Sequence, residues 1–350
     1  MPQQESGQEL VRKAAACRNS GRIPYLIEFL GYYRLEYEKR HGQGSTAALD
    51  PYIARLPQDW VIVNHGPPAG WEFKTDEKTG YMIDEWGVGW TRGRAVSFPL
   101  IEGYHRLADY RFPDPNAAGR FDAVKEGIAK ARAEGKYVLA MVWFTLYMRL
   151  WFLRGFDNLL MDHYLEPEQF TRLRDRVLEF NLEIIRQWHE IGVDGIYFAD
   201  DWGEQRSLLM NPEDWRRLYA DCYRRMFEAA HAGGAQVWMH LCGNVTSIVL
   251  DLLEAGLNVL NPIQPRAMDL EQLARDYGGK LAFYGGIDVQ QTLPFGTPQQ
   301  VKDEVRWLCE RLGGTGGYFP NNSHTLNAGI PVENVAAMLE ALEEFAGVRA

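Results

Sequence analysis

The chain has 350 residues and 46% hydrophobic content, ample for one large core or two smaller ones. Its formal net charge of −10 argues against nucleic acid or an anionic membrane surface as the main partner. The four cysteines, Cys17, Cys222, Cys242 and Cys309, form no CxxC pair and no disulfide framework. The first residues carry no cationic-then-apolar signal, and the longest apolar run, residues 138–148, stops at Arg149, too short to span a bilayer. The expectation is a soluble protein of the reducing cytoplasm.

The first 130 residues are irregular. Residues 5–17 read as a helix, residues 23–33 and Trp60–Asn64 as strand-like, and residues 81–90 as a hairpin arm. They are expected to form an N-terminal extension packed over the main part of the fold, residues 131–350. From there strand and helix signals alternate. Residues 137–144 form an apolar, aromatic strand pattern. Pro167–Ile191 keeps helical spacing through Phe170, Leu173, Val177, Phe180, Ile184 and Trp188. Residues 194–199 are the next strand, ending in Asp200-Asp201. Asn211-Pro212 opens a helix with a capping residue and proline at its first position, and Gly233-Gly234 stops it.

The alternation continues: strand 237–241, helix 245–255, strand 258–261, helix Leu270–Tyr277, strand 281–284, a helix opened by Thr297-Pro298, strand 317–320 and helix 331–345. Such regularity predicts a parallel sheet covered by helices, and the chain length suits a (β/α)8 TIM barrel. An open doubly wound sheet is the alternative, but no G-x-G-x-x-G follows a strand.

The sharpest motif is Gln-Val-Trp-Met-His-Leu-Cys-Gly-Asn at 236–244. Side chains two apart on a strand share a face, so His240 and Cys242 converge. The pair suits zinc, whose nitrogen and sulfur ligands sit at roughly 2.0–2.3 Å. A buried thiol beside a hydrogen-bonded histidine is the plainer reading of the same residues. Polar residues also follow the other strands: Asp200, Asp201, Gln205, Asn261, Gln264, Asp288, Asn321, Asn322 and His324. In a barrel all of these meet at the C-terminal mouth. His324 is the expected third metal ligand, leaving one position open for catalysis. Adjacent Asp200 and Asp201 are expected to act in acid–base chemistry or to orient ligands, one of them structurally. The 11 tryptophans, Trp86 and Trp143 among them, serve either as core or as the wall of a pocket for a flat substrate.

Several ordered motifs resemble the uroporphyrinogen decarboxylase superfamily in its corrinoid-dependent methyltransferase branch. They are His240-Leu-Cys-Gly-Asn-Val, Asn258-Val-Leu-Asn-Pro-Ile-Gln, Phe283-Tyr-Gly-Gly-Ile-Asp, Leu293-Pro-Phe-Gly-Thr-Pro, Asp200-Asp201-Trp-Gly-Glu-Gln and Asp84-Glu85-Trp-Gly-Val, covering residues 80–346. The resemblance implies a (β/α)8 barrel with zinc on a His-x-Cys pair and a later cysteine, whose place here is taken by His324. It implies methyl transfer between a small methylated compound and a corrinoid protein. A methoxyaromatic is the preferred donor because of the tryptophan-rich first half, bound among Trp86, Trp143, Gln205, Asn261, Gln264, Asp288 and Asn322. The decarboxylases' arginine-bearing N-terminal motif is missing; the corresponding stretch is Ile23-Pro-Tyr-Leu-Ile-Glu-Phe-Leu-Gly-Tyr-Tyr-Arg. Decarboxylation of a smaller carboxylate and a non-catalytic corrinoid-binding module are the alternatives. A homodimer is compatible with all three readings.

Overall fold

The computed structural model describes residues 5–347. Its main sheet has seven parallel strands in sequential order. They are β1 (Trp60–Asn64), β2 (Tyr137–Val142), β3 (Gly195–Ala199), β4 (Gln236–His240), β5 (Val259–Ile263), β6 (Ala282–Ile287) and β7 (Tyr318–Asn322). Each of β2 to β7 is buried along nearly its whole length, as expected of parallel strands with helices outside and side chains within. The sheet curls until its edges meet across the interior: the ring of Trp60 in β1 lies 5.8 Å from that of Phe319 in β7, edge to face. Trp238 of β4 stands among Trp60, Tyr137, Tyr197, Tyr284 and Phe319, all within 6.4 Å between ring centroids. This aromatic layer fills the interior of the curled sheet and forms the floor beneath the C-terminal ends of its strands.

Seven hydrogen-bonded strands are found among the described residues where eight were expected. The remaining gap between β7 and β1 is bridged by residues 19–28. Asn19 N donates to Gly316 O, Arg22 forms an ion pair with Asp59, and Glu28 N donates to Asn321 Oδ1 at 3.2 Å. Leu26 packs against the inner cluster. Pro24 removes a donor in the middle of this segment, so it runs extended without a ladder. Beyond Phe29, whose φ is 62°, the strand-like expectation gives way to the helix Leu30–His41. Leu30, Tyr33 and Tyr37 sit three and four apart, a helical spacing that the aromatic run masks.

The helix Gly7–Ala15 packs on the opposite end of the curled sheet. Val11, Ala14 and Ala15 enter the inner cluster, and Gln8 and Arg12 both reach Asp194 just before β3. Residues 74–97 form a small four-stranded antiparallel sheet: Lys74–Thr75, Met82–Ile83, Gly89–Thr91 and Arg94–Ser97. After β2 come two helices that periodicity did not reveal, Tyr147–Arg154 and Phe156–Leu165. The outer helices start as their sequences dictate. Asn211 Oδ1 caps the helix at Pro212, and Thr297 with Gln300 forms a reciprocal capping box. No helix among the described residues is long and apolar enough to cross a membrane.

Candidate active site

A cavity of about 460 Å³ opens at the C-terminal ends of the strands. Its polar lining includes Glu28, Asp201, His240, Asn261, Asn322 and His324; Ile62, Met141, Trp143, Phe144, Met148 and Tyr197 supply apolar wall. Ala199, His240 and Asn261 lie side by side across β3, β4 and β5, so the register alone sets the last two next to each other.

The side-chain donors of Asp201, His240 and Cys242 all lie within 4.8 Å of one another, a group able to hold a metal ion. The period-two spacing accounts for it: Asp201 continues the face of Tyr197 and Ala199, and Cys242 that of Trp238 and His240. His240 Nδ1 sits 2.7 Å from Asn261 Oδ1, which also accepts from Tyr197 OH. That contact places the proton on Nδ1 and leaves the Nε2 lone pair facing Cys242 Sγ at 3.1 Å. Asp201 Oδ1 stands 3.6 Å from the same nitrogen and is buried with no hydrogen-bond partner among the described residues. Burial, reinforced by Asp201, pushes the Cys242 thiol well above its ordinary pKa. A cation here would satisfy the orphaned oxygen and stabilise the thiolate.

Asp200 and Asp201 face different ways. Asp200 is fully buried and accepts from Leu146 N, Met148 N and Tyr223 OH at 2.9, 2.8 and 2.7 Å. It fixes the start of the helix after β2 to the end of β3. Burial outweighs these bonds and raises its pKa to about 6.

The other expected residues divide similarly. His324 lines the cavity but lies outside the Asp201–His240–Cys242 group. Burial and the nearby His240 lower its pKa, with Asp201 opposing, so the imidazole is held neutral. Asn322 lines the cavity; its Nδ2 donates to His324 O at 2.6 Å, and its Oδ1 is buried and unpartnered among the described residues. Gln264 supports the ligand loop by accepting from Gly243 N at 2.6 Å. Asp288 is buried and bound to Arg266 Nε at 2.6 Å and to the backbone N–H groups of Gln290 and Gln291. Gln205 is exposed and bonds Gln290 and Arg266 O. Neither Asp288 nor Gln205 lines the cavity. Trp143 lines it, whereas Trp86 lines a smaller chamber alongside.

Glu28 is the residue that sequence patterns missed. Its Oε1 accepts from Tyr284 OH at 2.6 Å. Burial raises its pKa against the opposing effects of Tyr284 and His240. The available signal was a lone acid in the apolar run Ile-Pro-Tyr-Leu-Ile-Glu-Phe, on the same face as Leu26.

Comparison with known proteins agrees with this architecture. A family model described as uroporphyrinogen decarboxylase (URO-D) matches residues 89–345. The uroporphyrinogen decarboxylase of Syntrophotalea carbinolica is 25% identical over 184 residues, 52% of this chain and 50% of that protein. The methylated-thiol–coenzyme M methyltransferase of Methanosarcina mazei is 22% identical over 251 residues, 70% of this chain and 65% of that protein. The chain thus spans about half the length of the curated decarboxylases it matches. A solved methyltransferase from Methanosarcina mazei shares the fold, with a TM-score of 0.66 at 16% identity over 98% of this chain and 99% of that one.

Proposed function

Because the chain belongs to the uroporphyrinogen decarboxylase family, we propose that it is a zinc-dependent methyltransferase of that family, moving a methyl group between a methoxyaromatic compound and a corrinoid protein. The observation that carries the reading is the convergence of Asp201, His240 and Cys242 at the barrel mouth, with Asp201 Oδ1 unpartnered. One nitrogen, one sulfur and one oxygen donor suit zinc. His324, which the sequence pattern offers as a third ligand, is the further imidazole available in the same cavity. Bound there, zinc would supply Lewis-acid polarisation of the ether oxygen.

The chain's own residues do the rest. Asn261 holds His240 in the ligating tautomer, and Tyr197 holds Asn261. Trp143, Phe144, Met141 and Met148 seat an aromatic ring and keep water from it. Glu28, whose pKa burial raises, lines the same cavity and would return a proton to the departing phenolate oxygen. The corrinoid belongs to the partner protein and enters as the second substrate, so this chain needs no methyl-accepting nucleophile.

Decarboxylation draws support from the decarboxylases among the relatives. Against it, no lysine or arginine lines the cavity, whereas a tetrapyrrole with many carboxylates needs cationic partners. The test combines metal analysis with turnover. Protein purified without chelator should carry about one zinc per chain, lost in Cys242→Ala, and should form methylcobalamin from cob(I)alamin and a methoxyaromatic. Carbon dioxide release from uroporphyrinogen without methyl transfer, or full zinc retention in Cys242→Ala, refutes the reading.

A further inference from the structure

The ladder between β2 and β3 ends at the pair Val142–Phe198. The chain then leaves the sheet for two residues, Trp143 and Phe144, and comes back to β3 at Thr145. Thr145 N donates to Ala199 O at 3.0 Å, and Ala199 N donates to Thr145 Oγ1 at 2.8 Å. The hydroxyl in turn donates to Val142 O at 2.7 Å, closing the excursion across its base. The carbonyl of Thr145 accepts from Asn181 Nδ2 at 2.5 Å. Asn181 is the one non-hydrophobic residue on the buried face of the helix Pro167–Ile191. Every polar group of Thr145 is therefore committed. The residue is 1% exposed and lines neither the main cavity nor the chamber alongside it.

Both residues of the excursion line the main cavity. Phe144 has a φ of 51°, in the left-handed region, where a phenylalanine is a steric outlier and a glycine would be free. Such a conformation persists only where the surroundings over-determine it. The Phe144 ring is backed by Trp90 and Phe152, with centroids 5.7 and 4.8 Å away. Its backbone is fixed by the bonds that Thr145 makes to β3. The strand end gripped by Thr145 carries the rest of the site. Asp200 holds Leu146 N and Met148 N, and Met148 lines the same cavity. Asp201, the next residue, belongs to the group able to hold a metal ion. The apolar wall and the oxygen donor thus hang from three consecutive residues, Ala199, Asp200 and Asp201.

We propose that Thr145 is a positioning residue for the ligand-binding wall: it clasps the end of β3, keeps Phe144 in the left-handed conformation and so holds Trp143 and Phe144 against the ligand. Without the hydroxyl, Ala199 N and Val142 O lose their partner and the excursion opens at its base. Phe144 then relaxes to an ordinary φ and its ring withdraws from the cavity. Valine has the branched shape of threonine without a donor or acceptor, so Thr145→Val isolates the clasp.

The use of the wall for a methyl donor rests on the methyl-transfer reading; the hold of Thr145 on the wall does not, and binding measured without corrinoid separates them. The full chain is titrated calorimetrically with methoxybenzene. Thr145→Val and Phe144→Ala should each weaken binding by about tenfold, the effect of losing contact with one ring. Thr145→Ser keeps the hydroxyl and should bind as the wild type does. The double variant should bind no more weakly than Phe144→Ala, because Thr145 acts through that ring. A threonine that only supports the fold would lower Tm without this pattern. Should Thr145→Val fail to fold, Asn181→Leu releases the clasp from its carbonyl side, and its loss of binding should likewise vanish in the Phe144→Ala background. Unchanged binding in Thr145→Val, additive losses, no rescue by serine, or no binding of methoxybenzene to the wild type overturns the proposal. The expected pattern with no methylcobalamin formed supports the clasp and refutes the methyltransferase reading. Methylcobalamin formed at the same donor KM in the wild type and Thr145→Val does the reverse.

Discussion

Gly243, next to Cys242, offers the most direct test of how the ligand loop is held. Its φ is +81°, and a Cβ there would overlap the Gly203 carbonyl and stand 2.6 Å from Glu204 O. These are backbone atoms and have no rotamer to yield. They belong to the loop that follows Asp201, so Gly243→Ala must force the Cys242 and Asp201 loops apart. Placing alanine in the left-handed region costs about 1–2 kcal/mol, and overpacking adds about 1–3 kcal/mol. Unfolding entropy for a chain of this length is about 0.7 kcal/mol/K, so Tm should fall by about 3–7 °C. Gly234→Ala is the matched control: its φ is +77° and nothing lies within 4 Å of its Cβ position. It carries the strain without the clash and should lose about 1–3 °C. The smaller entropy of the unfolded alanine variants offsets the same amount in both. Calorimetry gives Tm and metal analysis gives zinc content. On the proposed zinc reading, Gly243→Ala should lose most of the metal while Gly234→Ala keeps it. If the two variants melt within a degree of each other with equal zinc, the contact between loops does not hold the site together.

The two adjacent aspartates should respond oppositely. Asp201→Asn should cut methyl transfer by about two orders of magnitude with Tm hardly moved. Asp200→Ala leaves three buried donors without an acceptor, at about 1–3 kcal/mol each before relief of the buried charge, and should lower Tm clearly. Equal Tm losses in the two would contradict the division. His163 should shape the acid limb of stability. It is 2% exposed, its Nε2 lies 2.7 Å from Tyr219 OH, and burial lowers its pKa to about 4. Because the unfolded state binds the proton first, stability is intact above about pH 6.5 and is lost as the pH falls through about 4, by about 3 kcal/mol in total. Urea midpoints between pH 7 and 4 should fall less steeply in His163→Gln; identical slopes would exclude His163 as a source of acid sensitivity.

The sequence makes some parts of the site legible and hides others, for identifiable reasons. His240 and Cys242 were readable because a strand's two-residue period fixes which side chains share a face, and that period runs one step past the strand end. The same rule reaches Asp201 from Tyr197 and Ala199. It stops at loops: Gln205 and Asp288 both follow strands, yet one turns to solvent and the other bonds the next helix start. His324 lies two residues beyond β7, where the backbone is held by Asn322, and periodicity says nothing of its distance from Cys242. Six strands were marked by apolar runs in the alternating part of the chain, and Trp60–Asn64 by a strand-like run within the irregular first segment. The segment in the eighth position, broken by Pro24 and continuing into helix Leu30–His41, gave a mixed signal. Glu28 went unnoticed with it.

The placement of charge distinguishes the cavity from the chamber beside it. Asp201 faces the main cavity with no lysine or arginine among its lining residues, while Arg149 shares the chamber lining with Asp84 and Glu85 and lies 3.8 Å from Asp84. The main cavity favours a cation, while the chamber's two carboxylates already balance its guanidinium. The tryptophans that sequence composition left divided between core and pocket divide in the same way. Trp60 and Trp238 build the floor, Trp143 lines the main cavity, and Trp86 lines the chamber with the Arg149 guanidinium 4.5 Å from its ring centroid.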